Sequence, residues 1–225
     1  MAIQVQGFGG VIADVDGTTF RALRITSRPI NYGSLGMYRL GAVSGTIAAA
    51  LGAGAEMFQF RWPDATNLAL VYKVFISAGA NVAATAAGLC SFVMTAARSW
   101  TAAGSGGTRL ALTTNNCKLR TSMGTSLVND AGISTTAGLT AGTKTLDATN
   151  MGAQSVTIGT GAITTAVSLM LLNDARLFDS DGEGQHPLIL AQNEGFVIRN
   201  GAVVFPATMT WNFGVQVVWA EAAAF

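Results

Sequence analysis

His186 to Glu221 reads HPLILAQNEGFVIRNGAVVFPATMTWNFGVQVVWAE, and its periodicity decides the fold class. Three apolar segments, Leu188–Ala191, Phe196–Ile198 and Thr208–Trp219, are separated by the turn formers Asn193-Glu194-Gly195, Asn200-Gly201 and Pro206. In the last segment Trp211, Phe213, Val215 and Val217 alternate with Asn212, Gly214 and Gln216. A period of two sends one set to a buried face and the other to a wetter one, which is the pattern of a β-strand. These segments predict a sheet core and specify no chemistry.

Outward from this stretch, the same pattern recurs in short pieces. Met37–Val43, Met57–Trp62, Leu68–Ile76 and Leu89–Trp100 read as strands, with Leu68–Ile76 as a central strand and Leu89–Trp100 as its partner. Shorter, polar pieces follow at Leu110–Thr113, Lys118–Ser122, Ile133–Thr136 and Thr143–Leu146, and an apolar run at Ile163–Leu172 leads into the loop 173–186. Thr101–Thr108 is a small-residue connection. Ser44–Glu56 is rich in alanine and predicts a short helix capped by Ser44, weakened by Gly52 and Gly54 at about 1 kcal/mol each. Many short strands with frequent turns predict an all-β fold, a β-sandwich of jelly-roll type with short helical insertions. At 225 residues it is most simply one domain over 1–225, two small ones being the alternative. Residues 1–10 form an extended N-terminal arm in this reading, followed by a hairpin turning at Asp16-Gly17.

Charge is scarce. Hydrophobic residues make up 50% and charged residues 11% of the chain, with a net charge of +1, against about 25% charged residues in an ordinary soluble domain. A surface this poor in charge predicts burial against other subunits. Scattered, balanced basic residues argue against a nucleic-acid partner, which requires a Lys/Arg patch. No charge falls between Lys73 and Arg98, a length that reaches across a bilayer. Its alanines and polar residues fit two strands better than a membrane helix. The first residues have neither the basic nor the apolar region of a signal peptide. Cys90 and Cys117 lack the spacing and the histidines of a zinc site; reduced thiols are expected, with a disulfide between them left open.

Catalytic patterns are weak. Asp14-Val-Asp16-Gly-Thr18 resembles the opening motif of the haloacid dehalogenase superfamily, implying Asp14 as nucleophile and Asp16 as general acid/base. A strand-like sequence follows it in place of a βαβ framework, so a hairpin turn is the plainer reading. Asp179, Asp181 and Glu183, with Gly184, match the first positions of a calcium loop. The twelfth position is Leu190, so a non-EF calcium site or a solvated acidic loop remains. His186 is the only histidine, and every Ser–His or Cys–His mechanism would need it. No nucleophile elbow or phosphate loop accompanies it. Trp62 and Trp100, at strand ends, are candidate platforms for a sugar ring, whereas Trp211 reads as core.

Several segments together carry a family likeness: residues 2–7 and 16–22, Phe58–Trp62, Ala97–Trp100, Lys118–Thr125, Ala141–Asp147, Leu190–Phe196 and Trp219–Glu221. They resemble a group of proteins encoded by tailed bacteriophages. The resemblance implies a non-enzymatic virion structural protein, with no catalytic residue or cofactor to carry over. The expected role is a capsid decoration or cement protein, a homotrimer bound to the major capsid protein, made in the host cytoplasm and carried on the virion. A tail or fibre component that binds host carbohydrate is the alternative, and a small hydrolase using Asp14 and Asp16 a more distant one.

Overall fold

The computed structural model describes residues 35–159, 169–180 and 186–223. The arm at 1–10, the turn at Asp16-Gly17 and the pair Asp14 and Asp16 lie outside them, as do Asp181 and Glu183. Among the described residues the strands are β1 (Gly36–Val43), β2 (Glu56–Trp62), β3 (Asn67–Ala80), β4 (Gly88–Ala102), β5 (Thr108–Arg109) and β6 (Asp130–Ile133). They continue with β7 (Thr143–Leu146), β8 (Gly152–Ile158), β9 (Leu169–Asp179), β10 (Leu188–Leu190), β11 (Glu194–Asn200) and β12 (Trp211–Ala223). All pairings are antiparallel. One sheet runs β1-β12-β3, with β10 and β9 sharing the far edge of β3. The other runs β5-β6-β2-β11-β4, with β7 and β8 sharing the far edge of β4. The protein is an all-β sandwich of these two sheets.

The alternating residues of β12 supply the joint between them. Trp211, Phe213, Val215, Val217 and Trp219 are buried, and their rings meet those of the opposite sheet. Phe92 of β4 lies edge-on to Trp211 at 5.7 Å and stacks on Phe213 at 6.0 Å. Phe60 of β2 meets Trp219 edge-on at 5.3 Å. Such ring pairs contribute about 0.5–1.5 kcal/mol each beyond the area they bury. β12 also pairs with β1 on one side and β3 on the other along most of its length.

A bulge re-phases β3. The register with β12 passes from Lys73 to Val71 across neighbouring residues of β12, leaving Tyr72 as the extra residue. Inward positions therefore change from Ala69 and Val71 to Val74, Ile76, Ala78 and Ala80. The carbonyl of Tyr72 accepts a hydrogen bond from Ser180 N at 2.9 Å. This slip explains why Leu68–Ile76 shows no strict alternation in sequence.

The structure corrects three readings of the sequence. β3 and β4 are not partners: β3 lies in the five-stranded sheet and β4 in the seven-stranded one, so 81–87 crosses between sheets. The expected helix at Ser44–Glu56 does not form. Glu56 opens β2, Ile47 pairs with Trp211, and Ala48 N donates to Thr136 O at 3.0 Å. A Cβ at Gly45 would lie 2.6 Å from the carbonyl oxygen of Thr135, so the backbone there runs too close to its neighbour for any side chain. No helical insertion occurs among the described residues. Finally, 110–113 and 118–122 form loops and turns in place of strands, joined to β1 only by the Tyr38–Lys118 bridge.

Phe92 is fully buried against Phe205, Trp211 and Phe213. Phe92→Ala should cost about 3–5 kcal/mol of stability, measured by chemical denaturation. A loss below about 1 kcal/mol would mean that the sheets do not close on this ring.

Candidate functional site

Three loops, 44–55, 81–87 and 201–210, meet at one end of the sandwich and hold one another through the backbone. Asn81 N donates to Thr210 O at 2.7 Å, Phe205 N to Leu51 O at 3.0 Å and Gly54 N to Gly201 O at 3.0 Å. Side chains add to this, with Thr85 N donating to Thr208 Oγ1 at 3.1 Å and the Asn200 amide bonding both Leu51 O and Gly52 O. These bonds tie the loops to one another, and none of the three loops carries a charged residue. Large apolar side chains nevertheless face outward. Val82, Val203 and Val204 are 50%, 46% and 51% exposed, and Val43, where β1 enters the loops, is 72% exposed. Leu89, at the start of β4, joins them.

Two groups of ion pairs lie away from this end, whereas the buried Glu56–Lys144 pair starts at the residue that follows loop 44–55. Asp130 bridges Arg61 at 3.4 Å and Arg109 at 3.0 Å. Arg98 spans Asp147 at 3.3 Å and Glu194 at 2.5 Å, and these two carboxylates hold its guanidinium above the ordinary arginine value. Arg61, Arg98 and Glu194 all lie toward the strand ends remote from the uncharged loops.

Besides Asp130, two carboxylates among the described residues are buried and serve the fold. Glu56 accepts from Lys144 Nζ at 2.8 Å and Gln59 Nε2 at 2.6 Å, and Lys144 lies 4.4 Å over the ring of Trp100. Glu221, at the far end of β12, accepts from Ser126 Oγ at 2.7 Å, Leu127 N at 3.1 Å and Trp219 Nε1 at 3.1 Å. It thereby holds the 115–128 segment on the five-stranded sheet, helped by Tyr38, whose hydroxyl donates to Gly124 O at 3.0 Å. Burial raises the Glu221 carboxyl above the ordinary glutamate value, and its donors only partly offset this. Burial, with the charge of Glu221 second, pushes the Tyr38 phenol up to about 12.

The residues singled out in the sequence do not come together. Asp179 ends β9, with its carboxylate 3.2 Å from Arg176 Nε and 4.0 Å from Lys73 Nζ. Among the described residues no group of three His, Cys, Asp or Glu is placed to hold a metal ion. His186 is exposed, and its Nδ1 lies 2.8 Å from the carbonyl oxygen of Pro187. Cys90 and Cys117 are separate free thiols. Burial pushes the Cys90 thiol up to about 12 and raises Cys117 as well, which leaves little reactive thiolate. Trp62 and Trp100, expected at exposed strand ends, are fully buried, as are Trp211 and Trp219. Trp62 donates to Asn67 O at 2.9 Å and Trp100 to Ala102 O at 3.0 Å. Neither is a platform for a sugar. Trp100 is turned onto the outer face of its sheet by an irregularity between Arg98 and Ala102, where Ser99 has a φ of 50°, and the Lys144 ammonium lies over its ring.

The uncharged end was missed as a site, although its signal was present: no charge occurs from 40 to 55, from 74 to 97 or from 200 to 220. Only the middle run drew attention, as a possible membrane span. It folds as β3 and β4, and no helix among the described residues is long and apolar enough to cross a membrane. No protein-family model matches the chain, and no curated protein matches it significantly.

Because the native Glu221 keeps its proton to higher pH than the unfolded chain, its contribution to stability is fully present below the ordinary value of 4.5. It is lost as pH rises through the folded value. Thermal denaturation from acid to neutral pH should show this decline in the wild type and lose it in Glu221→Gln. Parallel curves for the two proteins would contradict the assignment.

Proposed function

We propose that the protein is a non-enzymatic structural component of a tailed-bacteriophage virion, a decoration or cement protein that seats its uncharged end on the capsid shell. The observation that carries this reading is the separation of charge from that end, where Val43, Val82, Leu89, Val203 and Val204 are exposed among loops without a single ionisable side chain. Charged residues are depleted at the core of protein interfaces, and contiguous exposed apolar side chains mark contact surfaces. Burying them stabilises a contact by about 25 cal/mol per Å² of apolar area, and the effect is multiplied over many copies on a shell. The sequence likeness to phage proteins supports the choice of partner, the major capsid protein.

Strand order supports a jelly-roll form of the sandwich. The order β1-β12-β3-β9 faces β2-β11-β4-β8, so successive long strands change sheets except from β4 to β8, which pair, and the last returns between the first and the third. This order favours the double Greek key used by many capsid proteins. The joined loops at one end then form a rigid contact surface. A homotrimer is the assembly expected from the sequence reading.

Val203→Asp with Val204→Asp places two charges on exposed positions without entering the core. Co-sedimentation with purified phage heads should fall at least tenfold, with an unchanged melting temperature. Undiminished binding of the double variant would refute the proposed contact.

A further inference from the structure

The outer face of the five-stranded sheet is hollow, from Arg39 to the edge of the uncharged loops at Asn81. Two adjoining depressions of about 430 and 410 Å³ run across β1, β12 and β3 and are bounded by Asn173 of β9. Both volumes fall within the usual range for ligand sites, about 300–1,000 Å³. The hollow exists because the outward positions at its centre are small. Gly214 pairs with Ser77 across β12 and β3, and Gly41, paired with Gln216 across β1 and β12, lines an adjoining depression of about 280 Å³ together with Arg39, Gly214 and Gln216. A Cβ at Gly41 would meet nothing within 4 Å.

Its rim is polar and planar. At one end Arg39 Nη2 donates to Gln216 Oε1 at 2.5 Å, which fixes both groups. At the other, Asn81 donates to Asn212, and Asn212 Nδ2 donates to Gly45 O at 3.1 Å. Phe75, half-buried and directly across from Gln216, offers an aromatic surface in the floor. Asn173 and Asp174 line the side facing Arg39.

This combination selects the ligand class. One cation and one anion leave the lining without net charge, so a phosphate or a polyanion gains little. The lining has too few apolar side chains for a hydrophobic helix. Held amide, guanidinium and carboxylate groups supply both donors and acceptors, and an adjacent ring can pack on an apolar C–H surface. A polyol with alternating hydroxyl edges and C–H faces matches both.

We propose that this trough binds a neutral oligosaccharide, with Arg39, Gln216, Asn173 and Asp174 bonding its hydroxyls and Phe75 packing against a sugar ring. The trough adjoins the proposed capsid contact at Val43 and Asn81, while the groups that would bind the sugar, Arg39, Phe75, Asn173, Asp174 and Gln216, lie outside that contact. The full-length protein would be applied to an array of neutral gluco-, galacto- and manno-oligosaccharides alongside Gly41→Leu, which fills open space, and Phe75→Ala. The wild type should retain at least one oligosaccharide class, and each variant should bind it at least tenfold more weakly. Melting temperature and head co-sedimentation should be unchanged in Gly41→Leu. Absence of retention by the wild type, or equal retention by Gly41→Leu, would overturn the proposal without touching the capsid contact.

Discussion

The structure depends on one strand meeting two sheets' worth of neighbours. β12 hydrogen-bonds to β1 and β3 along its edges and presents Trp211, Phe213 and Trp219 to Phe92 and Phe60 across the core. Removing that ring contact would leave the β2-β11-β4 sheet with no opposing face at its centre. The extremities of the same strand organise the rest. Trp211 pairs with Ile47 at the start of β12 and so fixes the uncharged loops. At the other extremity, Glu221 holds the 115–128 segment through Ser126 and Leu127.

Charge is partitioned about this core. Ion pairs of Arg61, Asp130 and Arg109, and of Arg98, Asp147 and Glu194, lie toward one set of strand ends. The opposite loops are closed by backbone hydrogen bonds alone or with neutral side chains. An end built this way has no charge in its loops to desolvate on leaving water. That is the physical basis for assigning assembly to it. The scarce charge of the chain is not evenly thinned but withdrawn from one place.

Most strands were legible because their two faces differ. Trp211 to Val217 and Phe58 to Trp62 alternate cleanly, and β1, β2, β7 and β12 fall where that alternation places them. Sheet membership was not legible. The run Leu68–Ile76 and the run Leu89–Trp100 have similar composition, yet the connection 81–87 carries the chain from one sheet to the other. Alanine in 44–55 suggested a helix, but Ile47 and Ala48 find backbone partners on Trp211 and Thr136 instead. Tertiary pairing outweighed a local preference of a few tenths of a kcal/mol per residue. The tryptophans misled for a related reason: a strand end is exposed only if nothing folds over it, and Lys144 folds over Trp100. Of the contact surface, the uncharged runs were visible in sequence, but their convergence was not, because 44–55, 81–87 and 201–210 are brought together only by the topology.

In the proposed role, the uncharged end is the part of the protein that touches the capsid shell. Cryo-electron microscopy of purified virions at side-chain resolution tests it most directly. Density for the sandwich on the head, with 81–87 and 201–210 buried against the shell protein, is the predicted result. Density on the tail alone, or heads on which these loops face solvent, would contradict it.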